Sequence, residues 1–248
     1  MADIFCTVVA AVRSAVTYLS VSLWVLLFGP IGITVAVIFR CPSFLYMLGR
    51  TGVRLGLAAA GIRIEISGVE RIEHARGAVY CVNHTSNLEP PIVYMALAAI
   101  HPRLKIVYKA ELRPVIPILR NAFDIVGFVP IERRNTEQSS AAIDCAATAL
   151  TNGDSFMIFP EGTRSQTGKL LPFKKGGFIM AIKGQAPIVP VAISGASAAM
   201  RKSSPVIRPV TVRVDVGGTI ETHGMTLTDR NHLISQTRDA LKSQLALL

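Results

Sequence analysis

The sequence predicts an α/β protein, a mixed, largely parallel sheet flanked by helices, with an N-terminal membrane-associated helical segment. Three observations carry that reading. Short runs rich in β-branched residues recur from residue 62 to residue 216, helical patterns fall between several of them, and an early stretch holds no charge at all. Alternating strands and helices favour parallel pairing, because a parallel neighbour needs a crossover long enough to hold a helix.

Taken in order, the first element is the uncharged stretch. From Ser14 to Phe39 no residue is charged, and Arg13 and Arg40 bracket the run. About 20 apolar residues suffice to span a bilayer, so its length is adequate. Gly29-Pro30-Ile31-Gly32 interrupts it, leaving Ser14–Phe28 and Ile31–Phe39, each short for a span. Two arrangements satisfy the backbone in lipid: one kinked transmembrane helix, or a hairpin dipping into one leaflet. Arginines at both ends, and glycines on both sides of the proline, favour a hairpin turning at Gly29–Gly32. The stretch is too long, and lacks the leading basic segment, for a cleaved signal peptide.

Cys41 to Gly61 mixes apolar residues with Arg50 and Arg54 and reads as an interfacial helix. Residues 1–60 are therefore expected to anchor a folded domain, residues 61–248. Ile62-Arg63-Ile64-Glu65-Ile66 alternates cleanly and predicts a half-exposed strand. Further strands are expected at Ala78–Val82, Leu104–Tyr108, Ile125–Pro130, Ser155–Phe159, Pro187–Ile193 and Val210–Val216, with helices notably at Thr136–Leu150 and Thr228–Leu247. No internal repeat is evident.

Composition narrows the partners. The 248 residues are 50% hydrophobic and carry a net charge of +10. Nucleic acid fits poorly, since the basic residues are dispersed, aromatics are few, and no zinc-finger or RNA-binding signature occurs. A phospholipid membrane with anionic substrates fits better. Cys6, Cys41, Cys81 and Cys145 lie far apart without metal-ligand spacing and read as reduced thiols, consistent with a cytoplasmic face. His74, His101, His223 and His232 lack partner residues and are assigned to surfaces or turns. No metal site is expected.

Chemistry concentrates in Cys81-Val82-Asn83-His84-Thr85-Ser86-Asn87-Leu88-Glu89-Pro90-Pro91. This stretch follows an apolar strand and ends in two prolines suited to a helix start, so His84 and Glu89 belong on a strand-to-helix connection. An imidazole titrates near neutrality, and a nearby carboxylate fixes its tautomer and favours its cation. Such a pair can take a proton from an alcohol. Ser86 is a rival nucleophile, but it lacks a Gly-x-Ser-x-Gly elbow.

A second block, Phe159-Pro160-Glu161-Gly162-Thr163-Arg164-Ser165, also follows a strand-like run. With the Asn-His-x4-Glu stretch it resembles the glycerolipid acyltransferase family. Gly127-Phe128-Val129-Pro130-Ile131-Glu132-Arg133 and Val189-Pro190-Val191-Ala192-Ile193-Ser194-Gly195 agree in order and spacing. The resemblance covers roughly Ile62 to Ile220, and it has one departure, Glu89 where the family usually has Asp.

That resemblance implies a membrane-embedded enzyme whose residues 61–248 form the catalytic domain. His84 would be the general base and Glu89 its partner. Lysophosphatidate would be the acceptor, and acyl-CoA or acyl carrier protein the co-substrate, with no cofactor. Arg133 and Arg164 take the family's phosphate-binding positions, where a guanidinium matches phosphate in bidentate fashion. Lys109 matches a family lysine. Glu161 would orient Arg164 or accept from a glycerol hydroxyl, and Gly162 and Thr163 would offer backbone and hydroxyl contacts. Lys174-Lys175-Gly176-Gly177 suits phosphate, donor or headgroup binding, or simply a basic helix start. The implied location is the inner membrane, with the catalytic domain on the cytoplasmic face. Glycerol 3-phosphate, another lysophospholipid or a lyso-aminolipid remains an alternative acceptor, and a non-catalytic lipid-binding protein remains an alternative class.

Overall fold

The computed structural model describes residues 2–131, 136–201 and 204–248. Its centre is a seven-stranded sheet built from β1 (Arg63–Ser67), β2 (Val79–Val82), β3 (Leu104–Lys109), β4 (Val129–Ile131), β5 (Ser155–Ile158), β6 (Ile188–Ser194) and β7 (Thr211–Val216). The strand order is β1-β7-β6-β2-β5-β3-β4. The run from β6 to β4 is parallel throughout, β7 pairs antiparallel with β6, and β1 lies parallel to β7. A mixed, largely parallel sheet is thus what the sequence predicts and what forms.

β2 shows why the sheet needs helices on both faces. Its four residues are all buried, and they alternate between two cores. Tyr80 and Val82 face one core, shared with α2 (Pro42–Ala60) and α3 (Glu89–Ala96). Val79 and Cys81 face the other, shared with α5 (Thr136–Thr151), α6 (Gly176–Lys183) and α8 (Arg230–Leu247). Strands buried on both sides read as continuous apolar runs rather than alternating ones, as these do. Edge strand β1 alternates in sequence but not in burial: Ile64 packs against the core, whereas Ile66 on the same face is 40% exposed.

Two sequence expectations need correction. Ile125 and Val126 are not strand residues; they close α4 (Pro117–Val126), and only Val129–Ile131 pairs, with β3. Pro117 begins that helix and Gly127 ends it, so local punctuation overrides the apolar run. The hairpin does not turn at Gly29–Gly32 either. Helix α1 (Ala2–Ile38) runs unbroken through Pro30, and the chain reverses at residues 39–41 before entering α2. One proline removes a single hydrogen bond and can be carried by a long helix.

α1 and α2 pack closely because α2 presents glycines where α1 is bulky. A β-carbon on Gly52 would lie 2.5 Å from the Trp24 ring, and one on Gly56 would lie 2.7 Å from Val21. Helix α1 is also bonded to the body of the protein. Ser14 Oγ accepts from the Ile207 amide at 2.7 Å, and Tyr18 donates to the Pro205 carbonyl at 2.8 Å. The opposite side of α1 is apolar and uncovered along its length, through Val8, Val12, Val16, Leu19, Leu23, Leu27 and Ile31, with Leu27 62% exposed. By length and composition Thr7–Ile38 suffices to cross a membrane.

His101 lies in a turn, one of the two places expected for it, but not on an open surface. Its ring packs between Tyr46 and Tyr94, at 5.0 and 4.3 Å between centroids. Burial, reinforced by the nearby Arg50 charge, pushes its pKa down to about 4. The unfolded imidazole titrates near 6.5, so stability from the neutral ring is complete above that pH and is lost as pH falls toward 4. With the ring part-buried and its charge partly screened by solvent, the expected loss is about 1–2 kcal/mol across that window. Denaturant melts at pH 7 and pH 4 should show it, and His101→Phe should flatten that part of the slope. An equal slope in the variant would assign the acid sensitivity elsewhere.

Candidate active site

The quoted motifs meet at one end of the sheet. β2, β5, β3 and β4 are adjacent and parallel, so their C-terminal ends lie side by side. His84 follows β2, Phe159–Arg164 follows β5, Lys109 closes β3, and β4 ends at Ile131. Ligands of parallel α/β sheets bind outside these strand ends, where loops diverge. Arg133 lies outside the described residues.

Glu89 sits in the first turn of α3 and is fully buried. Its carboxylate accepts from His84 Nδ1 at 2.6 Å, from the Thr85 amide at 2.8 and 2.9 Å, and from the Thr85 hydroxyl at 2.6 Å. A carboxylate can only accept, so Nδ1 carries the proton and the lone pair is left on Nε2. Nε2 has no hydrogen-bond partner among the described residues, and the His84 side chain is 16% exposed. Phe159 stacks on the imidazole at 4.1 Å and 27°, fixing the ring plane. The result is an oriented imidazole, held through one ring nitrogen and part-exposed beyond the end of β2. Ser86 cannot compete as nucleophile, since it is buried and donates to the Met200 carbonyl at 2.9 Å.

The two loops are joined by backbone. The Ser165 amide donates to the His84 carbonyl at 2.7 Å. Glu161 Oε1 accepts from the His84 amide at 2.8 Å, and Oε2 accepts from the Leu171 amide at 2.9 Å. Glu161 is 2% exposed. Burial raises its pKa above the usual carboxylate range, and the Leu171 and His84 amides pull it back in part. The carboxylate thus fastens the histidine loop, a role the sequence does not announce. Asn83 fastens the same loop from the other side, exchanging two bonds with Ile193 of β6 at 2.8 and 3.0 Å.

Gly162 has φ +71°, a left-handed conformation that only glycine adopts cheaply, and it turns the loop back past Phe159. Thr163 is exposed and Arg164 part-buried on that turn. Lys109 is exposed on β3, two strand positions from β2, or about 10 Å across the sheet. Sequence reasoning missed Thr85 and Phe159 as partners of the base. Both stand inside the quoted motifs, so position next to His84 and after β5 was the available signal.

Beside this loop lies an apolar cavity of about 500 Å³. Leu88, Pro90 and Pro91, which flank Glu89, form one wall, and Trp24, Gly52 and Phe123 lie among the others. It opens between the α1–α2 pair and the sheet domain.

The model of the family described as Acyltransferase matches residues 63–194, more than half of the chain. This chain belongs to the acyltransferase family. Among this acyltransferase's relatives, 1-acyl-sn-glycerol-3-phosphate acyltransferase beta of Homo sapiens is 33% identical over 74% of the chain and 65% of its own length. The 1-acyl-sn-glycerol-3-phosphate acyltransferase of Borreliella burgdorferi is 28% identical over 82% of the chain and 79% of its own length. The chain thus spans just under two thirds of the human relative. The crystal structure of the 1-acyl-sn-glycerophosphate (LPA) acyltransferase PlsC from Thermotoga maritima superposes with a TM-score of 0.82 at 20% identity, covering 98% of both chains. The chain therefore shares that fold over nearly its whole length.

Proposed function

We propose that this acyltransferase moves an acyl chain from acyl-CoA or acyl carrier protein to 1-acylglycerol 3-phosphate, forming phosphatidate. The observation that carries the reading is the buried Glu89 holding His84 as a base with its Nε2 open at the strand ends. Relatives named for this activity support the choice of acceptor.

In the proposed reaction His84 Nε2 takes the proton of the free lysophosphatidate hydroxyl. The oxygen attacks the thioester carbonyl, and the imidazolium formed is stabilised by Glu89 across Nδ1. The tetrahedral intermediate collapses, the C–S bond breaks, and the thiolate takes the proton from Nε2. His84 returns neutral and the acyl group ends on oxygen. Arg164, Arg133 and Lys109 hold the acceptor phosphate, and Thr163 offers its hydroxyl nearby. The apolar cavity beside Leu88 and Pro91 takes an acyl chain, its size being typical of small-ligand sites.

The uncovered apolar side of α1 rests in one leaflet of the bilayer. Its other side is committed to the protein through Ser14 and Tyr18, which favours a helix lying against the membrane over one crossing it. Assignment to the inner membrane with the catalytic domain cytoplasmic belongs to the same proposal.

A panel of acceptors with both donors, assayed on purified protein in detergent, tests the reading. Lysophosphatidate should be the best acceptor; a protein that binds lipid yet is inert with every donor and acceptor is a lipid carrier instead. Arg164→Ala should raise KM for lysophosphatidate about 10- to 100-fold, the loss expected for hydrogen bonds to a charged group. The acyl donor should be affected far less. Equal losses for both would make Arg164 a loop scaffold.

A further inference from the structure

We infer that Arg238, on the C-terminal helix, is a positioning residue for His84. It lies outside residues 63–194, the part matched by the family model. The loop from Gln166 to Lys175 has no helix or strand of its own, yet it supplies the Leu171 amide that Glu161 depends on. Its ends are held by the Lys174 amide on the Pro160 carbonyl and by the Ser165 hydroxyl on the Lys169 carbonyl, both at 2.7 Å, and its middle by Arg238. Arg238 donates from one guanidinium nitrogen to the Leu171 carbonyl at 2.5 Å and from the other to the Leu170 carbonyl at 2.7 Å. Its guanidinium also covers the Phe173 ring at 5.3 Å. That ring stacks on Phe178 of α6, which is fully buried.

The chain of contacts is continuous. Arg238 fixes the carbonyls of residues 170 and 171; the Leu171 amide fixes Glu161 Oε2; Glu161 Oε1 fixes the His84 amide. α8 is a firm base for the first link, because Leu233, Thr237 and Leu241 are fully buried beneath it. The geometry needs arginine. Two neighbouring carbonyls are met by a planar fork of donors, whereas lysine offers one compact ammonium. Glu161 is buried and its charge is disfavoured there, so it stays in place only while both amides are presented to it. Slackening the loop therefore loosens the backbone on which the base stands, at a distance from any substrate.

The kinetic part of this inference rests on the acyl-transfer reading; the geometric part does not. Hydrogen exchange on the full chain in detergent tests the geometry. In Arg238→Ala the amides of Leu171 and His84 should exchange about 10-fold faster, the change expected for loss of one net hydrogen bond. Amides of β2 and β6 should be unchanged. Unchanged exchange at Leu171 and His84 overturns the inference. If the alanine variant does not fold, Arg238→Lys is measured the same way, with a smaller acceleration expected at the same two amides.

With lysophosphatidate and acyl-CoA, Arg238→Ala should lower kcat about 10-fold while both KM values stay within about twofold, and Arg238→Lys should restore part of it. Combined with Glu161→Gln, the loss should approach the larger single loss, since both act on one path. A product of the two single losses, or a rise in KM with kcat intact, rejects the positioning role. A wild type inert with lysophosphatidate that still shows the exchange pattern removes the acyl-transfer reading and leaves the Arg238–His84 link standing.

Discussion

His84→Ala is expected to lower acyl transfer to lysophosphatidate by about 10²–10⁴-fold, the usual contribution of a positioned general base. The fold should survive the change. Glu89 keeps the Thr85 amide and hydroxyl as donors, so the buried carboxylate is not left bare. The His84 backbone, which bonds Glu161 and Ser165, is untouched. The loss should therefore appear in kcat with a thermal melt close to wild type. Activity within tenfold of wild type in a well-folded variant would falsify the assignment of His84 as base.

Glu89→Gln should be nearly as severe, and for a reason the geometry supplies. An amide has one acceptor oxygen and a donating nitrogen. Two orientations are open to it. In the first, the oxygen meets the Thr85 amide and hydroxyl and the NH2 group faces His84. In the second, the oxygen meets His84 and the Thr85 amide, and the Thr85 hydroxyl rotates to accept from the NH2 group. In the first orientation Nδ1 must accept, which moves the ring proton to Nε2 and leaves no lone pair for the substrate hydroxyl; in the second the imidazolium formed in the reaction loses its counter-charge. A wrong tautomer of this kind costs on the order of 10⁴-fold in serine proteases, and about 10²–10⁴ is expected here. Glu89→Asp keeps the charge and both acceptors and should retain activity within about tenfold. Rates for the two variants, measured side by side, decide the matter. If Gln works as well as Glu, the carboxylate serves the loop and not the imidazole.

Much of the site was legible because its parts are contiguous. Asn83, His84 and Glu89 fall within seven positions, and Glu161 to Arg164 are consecutive, so local order announces them. What each residue does was less legible. Glu161 and Arg164 are three apart in one motif, yet Glu161 is buried on backbone amides while Arg164 stands on the turn. Sequence proximity suggested that they serve one another; burial assigns Glu161 to the loop. His101 was unreadable for a similar reason. Nothing beside it hints at the Tyr46 and Tyr94 rings that enclose it, and Tyr46 comes from a different helix far back in the chain.

The sequence by itself determined where the sheet strands lie, the start of β4 excepted, and which short motifs stand at their ends. Apolar runs of strand length and compact polar motifs are local patterns, and local sterics and burial suffice to read them. Only the tertiary structure decided where the N-terminal hairpin turns and that α1 is bonded to residues 205 and 207. The same holds for the C-terminal arginine that braces the loop behind the base. Each of those outcomes joins residues far apart in the chain. Their energies come from hydrogen bonds and close contacts that exist only once the sheet has brought the partners together.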